Sequence, residues 1–308
     1  MYIFKLTNDK KVKEVGEIKF KLEKNIQELI EKNLSEIFSL SFVRSEFAIQ
    51  NFRIDTLAYD PENKSFVILE YKKDKSFSII DQGYAYLSLM LNNKADLILE
   101  YNESLKTNLK RNDVDWSQSK VIFISPSFTP HQKESINFKD LPIELWEVHL
   151  FENDTVSLIP QQSGGATETI KTISKKSKTF EQVNKEVKVY TENDHTEKAG
   201  DTVAELYEKF KSLILNISDT ISIKPTKMYI SFTFNKKPIC DFHLYKEYIK
   251  IWINLKRGEL QDIKKITKDV SSTGHWGNGD YEIQTGDTNN LEYIVSLIKE
   301  SYNKASSK

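Results

Sequence analysis

One hairpin constrains this chain more than any other feature. The segments FRIDTLAYD (Phe52–Asp60) and SFVILEYKK (Ser65–Lys73) alternate as strands and flank Pro61-Glu62-Asn63-Lys64, a stretch of turn formers. Pairing Asp60 with Ser65 across that loop sets Tyr59 opposite Phe66, Leu57 opposite Ile68 and Asp55 opposite Glu70. Arg53 and Lys72 follow on the same face. The other face carries Ala58/Val67, Thr56/Leu69 and Ile54/Tyr71. Both faces are largely apolar, as in a central strand covered on both sides. The charges collect at one end.

The surrounding pattern fits that cover. Leu22, Ile26, Leu29, Ile30, Ile37 and Phe38 recur at helical spacing over Lys21–Phe38. A strand is expected near Phe42–Ala48, and helices near Ser78–Leu91 and Ala95–Leu105. Further strands are expected at Lys120–Ser125 and Ile143–Phe151. The order is that of an α/β domain, a sheet flanked by helices, over residues 1–160. Residues 161–200 are rich in Lys, Thr, Ser and Glu and predict a polar flexible linker, with one short element near Phe180–Tyr190. The pair Gly164-Gly165 lies in it. Residues 201–308 predict an α+β domain. Its strands fall near Lys227–Phe234, Ile239–Leu244 and Tyr248–Leu255. Its helices fall near Thr202–Leu215, Leu260–Asp269 and Leu291–Tyr302.

Charge and cysteine content exclude several classes. Lys+Arg is 44 and Asp+Glu is 45, a net charge of −1. That excludes nucleic-acid binding by bulk charge and leaves room for a local basic groove. Cys240 is the only cysteine, so no intrachain disulfide and no thiolate zinc cluster can form, and a reducing cytoplasm fits. Apolar stretches such as Phe66–Leu69 and Leu87–Leu91 are far shorter than the ~20 residues of a membrane helix. The N-terminus lacks the apolar run of a signal peptide. A soluble cytoplasmic protein is expected, with no membrane contact. His131, His149, His195 and His243 show no metal-ligand spacing, and no phosphate-binding or nucleophile-elbow motif occurs.

Asp55 and Glu70 would sit opposite each other with Cβ atoms ~4.5–5.5 Å apart. Two such carboxylates repel, the more so if buried. Diagonal ion pairs, Arg53 with Glu70 and Asp55 with Lys72, would relieve this at a solvated edge. A divalent cation between the carboxylates, with Lys72 beside it, would relieve it in a buried setting.

Asp55, fourteen residues and then Glu70-Tyr71-Lys72 resembles the signature of the PD-(D/E)XK nuclease superfamily, with Ile54-Asp55 in place of Pro-Asp. Gln82 and Tyr86, four apart on the next predicted helix, resemble the Gln-xxx-Tyr motif of its RecB-like and NucS-like branch. Glu23 shares a helical face with Ile26, Ile30 and Ile37, where this superfamily often keeps a helix glutamate. Glu28 and Glu31 fall on the polar face and are expected to be solvated.

The resemblance covers Lys21–Pro160 and implies a restriction-endonuclease-like sheet flanked by helices. It implies Mg²⁺ or Mn²⁺ held by Asp55, Glu70 and the Tyr71 carbonyl, with Glu23 as an added ligand. Lys72 would orient or deprotonate the attacking water, Gln82 would position the metal site or the DNA backbone, and Tyr86 would pack beside it. DNA is the implied partner, with Lys73, Lys75, Lys106, Lys110 and Arg111 as phosphate contacts. The superfamily also hosts inactive members. The second expectation is therefore a catalytically inactive module that binds nucleic acid or protein.

In the C-terminal part, Asp269–Asp280 carries Gly274, Gly277 and Gly279 within six residues, a tight irregular loop. His275 and Trp276 at its tip either stack on a ligand or, for Trp276, plug the core beneath the loop. With Tyr248–Leu260, the segment resembles an uncharacterised bacterial domain labelled a predicted transport protein, and no membrane segment supports a carrier. Targeting or regulation is the expected role. Oligomeric state stays open, a homo-oligomer included.

Overall fold

The hairpin forms in the expected register: Asp60 pairs with Ser65, Tyr59 with Phe66, Ala58 with Val67, Leu57 with Ile68 and Thr56 with Leu69. The structure, a computed structural model, describes residues 2–73, 78–161, 168–170 and 177–307. It falls into two units, Met1–Val189 and Tyr190–Lys308.

The first unit begins with a separate hairpin of β1 (Ile3–Leu6) and β2 (Val12–Val15), and β3 (Glu17–Ile18) then joins the main sheet. Helices α1 (Glu23–Lys32) and α2 (Leu34–Phe38) follow where one continuous helix is expected from the periodicity. The break is at Asn33, whose side-chain amide donates to the Leu29 carbonyl and satisfies one end of α1. Strands β4 (Ser41–Ile49), β5 (Phe52–Asp60) and β6 (Ser65–Tyr71) come next, with β5 and β6 forming the hairpin. Then come α3 (Ile79–Asn92), α4 (Lys94–Leu105), β7 (Lys120–Ser125), α5 (Pro130–Ser135), β8 (Ile143–Phe151) and β9 (Val156–Gln161).

The sheet order is β3-β8-β7-β6-β5-β4, with β9 on β8. The β6–β7 and β7–β8 pairs are parallel and the others antiparallel. Every residue of β6 is buried, so this strand lies where the sequence pattern requires it. One face packs Leu57, Ile68, Phe123 and Leu145 against Tyr84, Leu87 and Met90 of α3. The other packs Ala58, Val67, Leu69 and Ile122 against Ile26 and Ile30 of α1. The alternation slips at Asp55: Ile54 joins Leu57 and Ile68 instead of Ala58. Opposite this point Glu46, in β4, takes a φ of 51°, a left-handed backbone uncommon for a glutamate. Gly83 lets α3 approach the sheet closely, since a Cβ there would lie 2.4 Å from Ile143 Cδ1.

The stretch expected as a linker behaves differently in its described parts. Helix α6 (Lys178–Glu186) packs on α3, with Phe180 stacked on Tyr84 at 4.1 Å and the Tyr84 hydroxyl donating to Asn184 at 2.8 Å. Ile170, Val183 and Val187 are buried in the same core. These few apolar residues help anchor the described part of the segment, and its polar majority hid them from composition. Gly164 and Gly165 lie outside the described residues.

The second unit opens with α7 (Glu192–Thr196) and α8 (Asp201–Leu215). The strands β10 (Ile221–Pro225), β11 (Ile230–Phe234), β12 (Lys237–Leu244), β13 (Ile249–Ile253), β14 (Lys268–Asp269) and β15 (Tyr281–Thr285) form an antiparallel sheet ordered β10-β11-β12-β13-β15-β14. Helix α9 (Leu291–Ser306) closes the chain. Phe210 of α8 and Leu297 of α9 share one core with Phe232, Phe242 and Ile251 of the sheet. The helix expected over Leu260–Asp269 is absent. Polar side chains take the backbone donors there: Asp262 accepts from Thr267 N and Tyr293 from Lys264 N, and just before the stretch Tyr281 accepts from Gly258 N. Among the described residues no helix is long and apolar enough to cross a membrane.

Candidate active site

The end of the β5–β6 hairpin brings the sequence-predicted cluster together. The ladder stops at Thr56–Leu69, and beyond it the Asp55 carboxylate replaces a strand carbonyl by accepting the Tyr71 backbone N–H at 3.1 Å. Lys72 N still pairs with the Ile124 carbonyl at 2.9 Å, so the Glu70-Tyr71-Lys72 backbone is held from the β7 side. Glu70 is only 3% exposed. Its Oε1 accepts from Lys72 Nζ at 2.5 Å and from Gln82 Nε2 at 3.0 Å. Its Oε2 is buried and has no hydrogen-bond partner. Gln82 also donates to the Tyr86 hydroxyl at 3.2 Å. Asp55, Glu70, Lys72, Gln82 and Tyr86 thus form one connected group across β5, β6 and α3.

The diagonal ion pairs expected at a solvated edge do not form as drawn. Arg53 instead holds Glu46, Nε to Oε2 at 2.8 Å, and Lys72 turns to the carboxylate of its own strand. The electrostatics follow from the geometry. Burial first, and then the negative charge of Glu70, push the Asp55 carboxyl up to about 7; the Tyr71 N–H and Lys72 oppose this, and Glu46 adds to it.

Around this group the remaining residues fall unevenly. Glu23 Oε1 accepts the Lys73 backbone N–H at 2.7 Å, next in chain to Lys72. Among the described residues no three His, Cys, Asp or Glu side chains gather closely enough to share an ion. Glu31 is half-buried rather than solvated: its Oε1 takes the Thr56 hydroxyl at 2.6 Å and the Gln27 amide at 2.9 Å. Gln27 also donates to the Asp55 backbone carbonyl at 2.9 Å, so α1 braces the strand that carries Asp55. Glu28 is exposed.

Of the proposed phosphate contacts, Lys73 is exposed beside the site and donates to the Lys21 carbonyl. Lys110 and Arg111 lie elsewhere. The Asp115 N–H donates to the Lys64 carbonyl, which ties their loop to the Pro61–Lys64 turn at the far end of the hairpin. Lys106 follows Tyr101, whose ring packs on Tyr59 and Phe66 near that same end. Lys75 lies outside the described residues.

Gln27, Glu31 and Glu46 are the neighbours that sequence reading missed. Glu46 had a usable signal: Ile49 pairs with Phe52 across the two-residue turn Gln50-Asn51, with Gln50 at φ 54°, and that turn sets Glu46 opposite Asp55.

In the second unit, Trp276 is 55% exposed, so it is not the core plug. Trp252 fills that place at 1% exposure, and a Cβ on Gly277 would sit 2.5 Å from its ring. The glycine serves the close approach of loop to indole. His275 stacks over Trp252 at 6.3 Å between centroids.

Residues 192–305 match the family model described as Domain of unknown function (DUF5655). An uncharacterized protein of Haemophilus influenzae (strain ATCC 51907 / DSM 11121 / KW20 / Rd) is 53% identical over 283 residues, 92% of this chain and 93% of its own length. The chain belongs to the same family as that protein.

Solved structures similar to part of the chain include a repair endonuclease from Pyrococcus abyssi (19% identity, TM-score 0.25, 43% of this chain and 49% of the other). An EndoMS–dsDNA complex matches at 19% identity and a TM-score of 0.28, over 42% of this chain and 47% of the other. Pyrococcus furiosus SfsA in complex with Ca²⁺ matches at 14% identity and a TM-score of 0.24, over 45% and 61%. The chain thus spans about half the length of the first two.

Proposed function

We propose that the first unit is a divalent-metal-dependent nuclease that hydrolyses phosphodiester bonds in DNA, in a repair, restriction or defence setting in the cytoplasm. Glu70 carries this reading. It is a buried carboxylate with one oxygen held by Lys72 and Gln82 and the other without a partner, beside a second carboxylate whose ionisation it opposes. A cation would satisfy both groups at once. Asp55, Glu70 and the Tyr71 carbonyl would hold Mg²⁺ or Mn²⁺, with Glu23 near enough in the chain fold to brace the strand end through Lys73. Such an ion, when bound, polarises a phosphoryl oxygen and acidifies a bound water.

The chain's own groups do the rest. The Lys72 ammonium orients the attacking water and stabilises charge developing on the phosphate. Gln82 fixes the orientation of the Glu70 carboxylate, and Tyr86 fixes Gln82. In this reading the second unit, from about Asp201, serves targeting or regulation.

A second reading, a non-catalytic module that binds nucleic acid or protein, draws on the Lys72–Glu70 pair, which neutralises one carboxylate without a metal. Titration of Mn²⁺ by electron paramagnetic resonance separates them. The nuclease reading expects saturable binding that Asp55→Ala removes; equal binding by wild type and variant, or none by either, favours the module.

A further inference from the structure

The second unit contains a cavity of about 280 Å³ that belongs to no site discussed above. Lys237, Lys256 and Lys304 stand around it, with Asn254, Asn278 and Ser301 in its wall. Lys304 is paired with Glu259, which also lines the cavity. Among the described residues, Lys237 and Lys256 have no carboxylate in ion-pair range. The local charge is therefore positive.

Behind the wall lies Asp241, fully buried. It accepts from the Ser231 hydroxyl at 2.6 Å, from the Asn278 backbone N–H at 2.7 Å and side-chain amide at 3.0 Å, and from Asn254 Nδ2 at 3.3 Å. With its nitrogen held on Asp241, the Asn254 amide leaves Oδ1 buried and without a hydrogen-bond partner. Ser301 donates to the Asn254 backbone carbonyl at 3.3 Å and helps fix this wall.

We propose that this cavity binds a small phosphomonoester, a mononucleotide or a sugar phosphate. The lysines supply the charge that a phosphate requires, and the polar wall of Asn254, Asn278 and Ser301 suits the hydroxyls of the same molecule. The volume of about 280 Å³ lies just below the roughly 300–1,000 Å³ of small-ligand sites, which suits one such molecule and not a dinucleotide. This inference does not depend on the nuclease reading.

The test is isothermal titration calorimetry on the full chain with AMP, ribose 5-phosphate, inorganic phosphate, adenosine and a 5′-phosphorylated oligonucleotide. The double variant Lys237→Ala/Lys256→Ala, altered only at exposed positions, is titrated alongside, with its melting temperature as the check on folding. One or both phosphomonoesters should bind with Kd below about 1 mM, and adenosine and inorganic phosphate at least about tenfold more weakly. The tighter of AMP and ribose 5-phosphate tells nucleotide from sugar phosphate. The double variant should lose about tenfold or more in affinity at an unchanged melting temperature. Binding of neither phosphomonoester, equal affinity for inorganic phosphate, affinity unchanged in the double variant, or a response to the oligonucleotide alone would each overturn the proposal.

Discussion

The backbone N–H of Tyr71 donates to Oδ2 of Asp55 at 3.1 Å, just past the last paired residues of the hairpin. A side chain here takes the place of a strand carbonyl. The bond anchors Asp55 at the end of β5, across from Glu70 on a strand buried along its whole length. The two carboxylates sit side by side just past the paired strands, and Lys72, bonded to Glu70, offsets only part of their repulsion.

Burial of Asp55, and with it this repulsion, has a pH signature. The Asp55 carboxyl is raised to about 7 from an ordinary 3.8, so the folded protein binds this proton more tightly than the unfolded chain does. The stability it contributes is complete below about pH 4, falls as pH rises and is lost above about 7. At about 1.4 kcal/mol per pKa unit the full span is roughly 4 kcal/mol at most. Urea unfolding in EDTA should show wild type losing stability between pH 5 and pH 8, while Asp55→Asn, which cannot ionise, loses distinctly less. Parallel losses in the two proteins would mean that the carboxylate pair is not strained.

Lys72 bonds Glu70 Oε1 but is assigned to the chemistry rather than to holding the ion. Lys72→Ala should lower the cleavage rate by about 10²–10⁴, the range for loss of a positioned acid–base group, with Mn²⁺ affinity changed less than tenfold. Rate and affinity falling together would place Lys72 in the metal site instead.

In the proposed site Gln82 acts through Glu70. Gln82→Ala removes the bond to Glu70 Oε1 and the one to Tyr86. Mn²⁺ affinity should weaken by about 10–100-fold, the usual effect of losing a partner of a metal ligand. Tyr86→Phe, which keeps the ring and removes only the hydroxyl, should shift affinity less than Gln82→Ala. A larger effect from Tyr86→Phe would reverse the order of support.

The two tryptophans of the second unit should differ sharply. Trp252→Ala should cost about 3–5 kcal/mol in unfolding free energy, as for a buried aromatic. Trp276→Ala, at an exposed position, should stay within about 0.5 kcal/mol. A large loss from Trp276→Ala would restore the reading in which that residue plugs the core.

What the sequence made legible follows from how locally each feature is determined. Asp55 and Glu70 could be paired because Pro61–Lys64 closes a short loop and the alternating period leaves one register that buries Leu57 and Ile68. Gln82 and Tyr86 could be added because four residues is one helical turn. Glu46 was missed because its place depends on the inconspicuous Gln50-Asn51 turn and a left-handed residue in mid-strand. Gln27 and Glu31 were missed because a helix period says which residues share a face, not what packs against that face. The position of Lys110 and Arg111 was not legible for a similar reason: the contact from Asp115 to Lys64 that carries them to the far end of the hairpin is long-range. The helix expected over Leu260–Asp269 gave way to side chains such as Asp262 and Tyr293, partners that periodicity does not register.

The most direct measurement is cleavage. Full-length protein is incubated with single-stranded, branched and duplex DNA in Mg²⁺ or Mn²⁺, with Asp55→Ala and an EDTA control alongside. The account predicts cutting of at least one substrate by the wild type with metal, and none with EDTA or with Asp55→Ala. Intact DNA in every wild-type lane, or equal cutting by wild type and Asp55→Ala, would contradict it.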